Sequence, residues 1–278
     1  MTISGATRVA GVIGDPVTHS LSPVLHNAAY RELGIDWVYV AFAVPAGATK
    51  AALDAIRVLG LAGLSITMPH KTAAAAACDR LTADAGVLNS VNTVSRGRDG
   101  DLLGDSTDGE GFLRALRESG TDPDGAAVLL LGAGGAARAV ALALARAHAR
   151  VTVCARRPDA AAAAAELGGG DAADWSQRAA RSGAATIIVN ATPIGMGDGN
   201  IPLPPGALHS GQVVVDLVYA PLATPLLRAA AERGARAVDG LGMLVHQAAL
   251  QVERWTGHDA PIAAMRAAAA ATLGRPGS

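Results

Sequence analysis

The chain has 278 residues, of which 50% are hydrophobic and 17% charged, with a formal net charge of −1. That length and balance suit one large or two modest domains with a sizeable core, and they exclude a disordered chain. Near-neutrality gives no electrostatic footing for nucleic acid or an anionic membrane surface, and the two cysteines, Cys78 and Cys154, lack the spacing of a disulfide framework or a zinc site.

The opening residues Met1-Thr2-Ile3-Ser4-Gly5 lack the charged and apolar regions of a signal peptide, so a reducing cytoplasm is the expected location. Alanine-rich stretches at 73–77, 160–165 and 267–271 are short or interrupted, and they read as helices in water rather than membrane spans. Along the chain, strand-like runs at 9–13, 37–44 and 61–67 alternate with helical periodicity at 23–33 and 48–59. This βαβα order predicts a mostly parallel sheet covered by helices. The more polar stretch 91–105 predicts a small strand pair turned at Asp99-Gly100. A helix over 108–119 then leads into a second domain. Further strands are expected at 128–131, 151–154, 186–189, 213–217 and 235–238, and helices at 243–255 and 263–273. The fold class is therefore two-domain α/β: a mixed or parallel α/β domain first, then a Rossmann-like domain over 108–240. On periodicity alone the last helices can pack on either half.

The second domain carries the most informative segment. The apolar run Val128-Leu129-Leu130-Leu131 is followed by Gly132-Ala133-Gly134-Gly135-Ala136-Ala137 and an alanine-rich helix. A buried strand, a tight glycine turn and a helix start make a dinucleotide phosphate site: Gly132 permits the turn, Gly134 lets a pyrophosphate approach, and small Ala137 lets the helix pack on the sheet. Free N–H groups and the positive end of the helix dipole face the phosphates. The next strand ends in Ala155-Arg156-Arg157, with no carboxylate before Asp159. An acidic residue there would read a free ribose 2′-hydroxyl, whereas guanidinium groups grip a 2′-phosphate, so the expected cofactor is NADP.

In the first domain, ligands of an open α/β sheet belong beyond the carboxyl ends of the strands. The first strand is followed by His19-Ser20-Leu21-Ser22-Pro23, in which Ser22 reads as a helix N-cap while Ser20 has no comparable structural duty. The third strand brings Ser65 and Thr67 to one face and ends at Met68-Pro69-His70-Lys71. Lys71 fits either a solvated surface charge or one half of a proton relay. Asp108 fits either an N-cap or the carboxylate of that relay, with Asp105 as its rival.

Taken in order, these segments resemble shikimate dehydrogenases, the NADP-dependent enzymes that reduce 3-dehydroshikimate in aromatic amino acid biosynthesis. The matching motifs span nearly the whole chain: Gly14 to Asn27, Gly63 to Lys71, Val91-Asn92-Thr93, Gly104 to Gly109, Gly132 to Ala136, Asn190 to Met196, Asp216 to Tyr219, and Gly240 to Ala248. The resemblance implies that Ser20 and Ser22 hold the substrate carboxylate. Thr67, Lys71, Asn92, Asp108 and Gln247 bind the ring hydroxyls, with Ser65 at a further substrate position and Tyr219 facing the substrate. Lys71 is the implied principal acid–base residue and Asp108 its partner. Gly132, Ala133, Gly134, Gly135 and Ala136 cradle the pyrophosphate, Arg156 and Arg157 read the 2′-phosphate, and Thr192, Met196, Leu217, Gly240 and Met243 complete the cofactor side. It also returns the last helices to the first domain, giving a substrate domain of 1–107 plus 241–278, a small-molecule partner, no metal, and a monomer or homodimer. The chain departs from the family pattern at Ser65 and Ser106, where asparagine is usual, at Asn89-Ser90 in place of Gly-Ala, and at Ala155-Arg156-Arg157 in place of Asn-Arg-Thr. Serine is shorter than asparagine, so substrate preference is less fixed than reaction type. The alternatives are a quinate/shikimate or amino-shikimate dehydrogenase, whose quinate-accepting members often carry Thr at Ser22 and use NAD with an acid near Ala155, and a non-catalytic metabolite sensor, for which an intact Lys71 and Asp108 have no use.

Overall fold

The computed structural model describes residues 2–274, and the chain divides into two compact units, one reaching Thr107 and resuming at Gln247, the other Asp108–His246. In the first unit, β1 (Arg8–Gly14), α1 (Ser22–Glu32), β2 (Trp37–Ala43), α2 (Thr49–Leu59) and β3 (Gly63–Ile66) alternate as the periodicity predicts. They are followed by α3 (Lys71–Ala77), β4 (Arg80–Leu81), α4 (Ala83–Leu88), β5 (Thr93–Arg96) and β6 (Leu102–Asp105). The sheet runs β2-β1-β3-β5-β6-β4. β1 is parallel to β2 and β3, while the β5/β6 hairpin enters antiparallel beside β3, so the sheet is mixed. Gly100, in the left-handed region at φ +84, makes the hairpin turn where Asp99-Gly100 predicts it.

One face of this sheet carries Ile13, Leu64 and Ile66, buried against Leu53 and Ile56 of α2 and Ala74 of α3. The other face is aromatic. His26 of α1 stacks on Tyr39 of β2 with ring centroids 4.0 Å apart, and Trp255 lies 5.5 Å from His26. Gly63 makes this face possible, because a Cβ there would collide with the Trp255 indole nitrogen.

The second unit contains α5 (Asp108–Glu118), β7 (Ala127–Leu131), α6 (Gly135–Arg146), β8 (Arg150–Ala155), α7 (Pro158–Leu167), β9 (Asp171–Asp174), α8 (Arg178–Ser182), β10 (Ile187–Asn190), β11 (Val213–Asp216), α9 (Pro225–Glu232) and β12 (Arg236–Val238). Its strands pair in the order β12-β11-β10-β7-β8-β9, and every pairing is parallel. Val128 and Leu130 point into one core and Leu129 and Leu131 into another, which is why β7 reads as an unbroken apolar run.

Helix α10 (Leu241–Thr256) changes allegiance part-way, and α11 (Ile262–Leu273) follows it. Its first turn belongs to the second unit: a Cβ on Gly242 would stand 3.1 Å from the Ala115 methyl of α5, and His246 Nε2 lies 3.0 Å from Glu118 Oε2. The division therefore falls between residues 246 and 247, six residues beyond the 240/241 expected from the glycine motif. Among the described residues no helix is long and apolar enough to cross a membrane.

His26 is fully buried, and burial pushes its imidazole down to about 4. The ring is therefore neutral, with its proton on Nδ1 donated to the Ser22 carbonyl at 2.9 Å. The unfolded chain takes up a proton near pH 6.5 that the folded ring refuses until about 4, so folding weakens as pH falls through that window and levels off below it. Full protonation of the unfolded chain corresponds to about 3 kcal/mol. Urea midpoints at pH 7 and pH 4.5 should therefore fall further for the native protein than for His26→Gln. An equal fall in both would remove His26 as the cause.

Candidate functional site

The glycine turn lies between β7 and α6 in the second unit. Gly132 has φ +107, and a Cβ there would stand 2.9 Å from the Ala191 carbonyl oxygen, so both its backbone angle and its neighbour demand glycine. Gly134 and Gly135 face open space instead. Helix α6 begins at Gly135, so the N–H groups of its first turn have no carbonyl a turn before them and are directed towards that space. Ala137 is completely buried, as close helix–sheet packing requires. The open space is a cavity of about 720 Å³ whose lining includes Gly132, Ala133, Gly134, Ala155, Arg156, Arg157 and Thr192. Both arginines are exposed at the end of β8, where Arg157 also starts α7 ahead of Pro158. A phosphate-bearing dinucleotide fits these residues: glycine backbone without side chains on one wall, two guanidinium groups on another.

The loop after β10 completes the cavity. Asn190 is fully buried; its Oδ1 accepts from the Thr192 N–H at 3.1 Å and the Thr192 hydroxyl at 2.6 Å, and its amide donates to Ile194 O and to Asp216 Oδ1. Asp216 also accepts from the Thr224 hydroxyl at 2.7 Å and the Val218 N–H at 3.1 Å, and burial pushes its carboxyl up. Asn190 and Asp216 thus shape the loops that present Thr192, Leu217 and Tyr219. Gly240 lies so close to Leu217 that a Cβ would stand 2.5 Å from the Leu217 carbonyl oxygen, and Met243 packs with Leu217 against the same core. Met196 stands apart, 56% exposed on the loop after β10, and none of Met196, Leu217, Gly240 and Met243 lines the cavity itself. Tyr219 is half-buried, and burial raises its phenol. Sequence reasoning missed Trp175, Ile194 and Asp198, which also line the cavity. Trp175 is held from outside by the Arg178 guanidinium, 4.6 Å from its ring. The one available signal was a tryptophan beside Asp174, whose carboxylate accepts the Ser176 N–H at 2.9 Å as a cap does.

In the first unit the ends of three strands are stitched together. Thr67 N donates to Ile13 O at 3.0 Å, Asp15 N to Met68 O at 3.0 Å, and Ile66 N to Asn92 O at 2.8 Å. The Thr67 methyl fills the space over Gly14. Lys71 is half-buried as the first residue of α3, and its carbonyl accepts from Val91 N at 3.0 Å, which fixes it beside the Val91-Asn92-Thr93 segment. Asn92 is buried, with Oδ1 accepting from Thr107 N and Thr93 Oγ1, both at 2.8 Å. The two serines exchange the duties expected of them. Leu21 is the cap of α1 and makes no side-chain bond, Ser22 is the first helical residue, and Ser20 Oγ accepts the Ser22 N–H at 3.3 Å. Pro23 admits this shift because it supplies no N–H to cap. Ser65 is buried, and its hydroxyl both accepts from Tyr39 and donates to Gln251. Asp105, the rival to Asp108, is committed elsewhere: Oδ2 lies 2.5 Å from Arg254 Nε, and Oδ1 accepts from Thr82 Oγ1 and Ser106 N. Asp108 opens α5 in the second unit, where a carboxylate suits the positive helix end, and Gln247 is half-buried on α10 in the first.

Comparison with known proteins agrees along the chain. Residues 12–94 match the model of the shikimate dehydrogenase substrate binding domain, and residues 240–270 that of the shikimate 5′-dehydrogenase C-terminal domain. A shikimate dehydrogenase (NADP(+)) of Methanopyrus kandleri is 44% identical, with 96% of this chain and 97% of the relative covered. The Thermus thermophilus shikimate 5-dehydrogenase solved with NADP(H) and shikimate superposes with a TM-score of 0.89 at 38% identity, over 95% of this chain and 99% of that one. A quinate dehydrogenase of Corynebacterium glutamicum solved with NAD gives 0.90 at 30% identity, over 95% and 99%. With 44% identity to such a relative over nearly the whole chain, and with both domain models of the family matching, the chain belongs to the shikimate dehydrogenase family.

Proposed function

We propose that the protein is an NADP-dependent oxidoreductase that interconverts shikimate and 3-dehydroshikimate in aromatic amino acid biosynthesis. The observation that carries this reading is the cavity walled by the Gly132–Gly134 turn and by Arg156 and Arg157, a phosphate cradle with a 2′-phosphate grip, in a chain of this family. NADP, when bound, supplies the hydride donor or acceptor for the ring carbon that bears the oxygen. Gly132, Ala133, Gly134, Gly135 and Ala136 hold its pyrophosphate. Thr192, Met196, Leu217, Gly240 and Met243 serve the rest of the cofactor.

Ser20 and Ser22 take the substrate carboxylate, Thr67, Asn92 and Gln247 the ring hydroxyls, and Tyr219 faces the ring. In reduction, negative charge develops on the substrate oxygen, and Lys71, as an ammonium, stabilises that charge and delivers the proton; in oxidation it receives the proton back. Asp108 is the carboxylate partner that keeps Lys71 supplied and oriented. The chain keeps Ser22 and the two arginines, which favours shikimate with NADP over quinate with NAD.

Two measurements test these assignments. Replacing both arginines by glutamine should weaken NADP binding about ten- to hundredfold, the weight of lost charge-assisted bonds, while NAD binding hardly changes. Equal losses for both cofactors would mean that the arginines do not read the 2′-phosphate. Lys71→Ala should lower turnover about a hundredfold or more with a smaller change in KM, and Asp108→Asn should lower turnover in the same direction. Near-normal turnover with a large rise in KM would instead make Lys71 a binding residue. Shikimate and quinate assayed side by side, each with both cofactors, decide the substrate.

A further inference from the structure

We propose that Gln251, on the third turn of α10, is a positioning residue that sets which hydrogen-bonding end the substrate-side amides of the first unit present. The proposal rests on the substrate roles given above to Asn92 and Gln247.

Gln251 is 1% exposed, and its amide is engaged at both ends. Oε1 accepts from Ser65 Oγ at 2.7 Å, while Nε2 donates to Thr93 Oγ1 at 2.9 Å and lies 3.4 Å from both the Asn92 carbonyl and Gln247 Oε1. The reverse amide orientation would set two acceptors, Oε1 and the Asn92 backbone carbonyl, against each other, so the observed one is dictated. From it the directions of a whole chain of bonds follow. Because Oε1 can only accept, the Ser65 hydrogen is committed to it, and the Ser65 oxygen is left to accept from the Tyr39 hydroxyl at 2.6 Å. Because Nε2 can only donate, Thr93 must spend its own hydrogen on Asn92 Oδ1, at 2.8 Å. Thr107 N adds a second donor to that oxygen, and Asn92 Nδ2 donates one hydrogen to Thr107 Oγ1 at 2.9 Å, so Asn92 is held in one amide orientation and can meet a ligand only through its remaining N–H. The contact with Gln247 works the same way, drawing Oε1 of Gln247 towards Gln251. Ser65 thus serves the site from behind, and its short side chain leaves the room that the Gln251 amide occupies.

The isosteric change Gln251→Glu separates direction from shape. A carboxylate keeps the acceptor for Ser65 and turns the donor into a second acceptor, so Thr93 must point its hydrogen at residue 251, and Asn92 Oδ1 loses one of its donors and is left with Thr107 N. We expect the KM for the substrate to rise at least tenfold while the KM for NADP stays within twofold, and Gln251→Met, which removes both ends, to raise it as well. A purely structural role would instead lower the melting temperature and the active fraction, leaving substrate KM unchanged in the molecules that fold. Substrate KM within twofold of native in folded Gln251→Glu overturns the proposal; if that variant does not fold, the same result in Gln251→Met or in Ser65→Ala overturns it. The native protein, assayed first with shikimate and with quinate, separates the two readings. No turnover of either overturns the proposed function and this inference with it, whereas native turnover with unmoved KM ratios overturns this inference alone.

Discussion

A buried carboxylate holds the cofactor side of the molecule together. Asp216 has no exposed surface, and burial alone would force it neutral or out of the core. It stays because Asn190, at the end of β10, and the Val218 N–H and Thr224 hydroxyl, both from the segment between β11 and α9, surround it with donors. Thr224 doubles as the N-cap of α9, accepting the Leu227 N–H at 3.3 Å, so the same hydroxyl ends one loop and begins a helix. Removing any one donor leaves a buried acceptor short of a partner, at a cost of about 1–3 kcal/mol. The loops that wall the cavity are therefore not free to drift.

The first unit solves the corresponding problem mainly with neutral groups. Its strand ends are joined by backbone bonds between β1, β3 and the segment before β5, and behind them lies a neutral chain of hydroxyls and amides. One ion pair reaches inside, where Arg254 engages the buried Asp105, while Arg57 engages Asp79 at the surface. Even His26 is held neutral. A mostly neutral interior limits the desolvation that paired charges would suffer there.

Much of this was readable in the residues, for reasons that differ from element to element. The strand–glycine–helix segment at 128–137 was legible because both its backbone angles and its burial on two faces constrain residue type. The hairpin at 91–105 announced itself through Asp99-Gly100. By contrast β4, with two residues, and β9, with the sequence Asp-Ala-Ala-Asp, carry no periodicity to detect; they exist because neighbouring strands offer an unpaired edge. The exchange of duties between Ser20 and Ser22 was hidden because a cap depends on the φ and ψ of one residue. Gln251 was invisible as well: its partners Ser65 and Thr93 lie more than 150 residues away, and a helical glutamine four positions after another reads as an exposed face.

The cavity wall includes one indole, and its placement has an optical consequence. Of the chain's three tryptophans, Trp37 and Trp255 are buried in the first unit, and Trp175 alone is half-buried at the cavity in the second. Indole emission shifts with the polarity around the ring, so the red-edge component of the protein's fluorescence belongs to Trp175. The molecule thus carries a built-in reporter of solvent at the nucleotide cavity, against a background of two shielded fluorophores that any event confined to that cavity leaves dark to change.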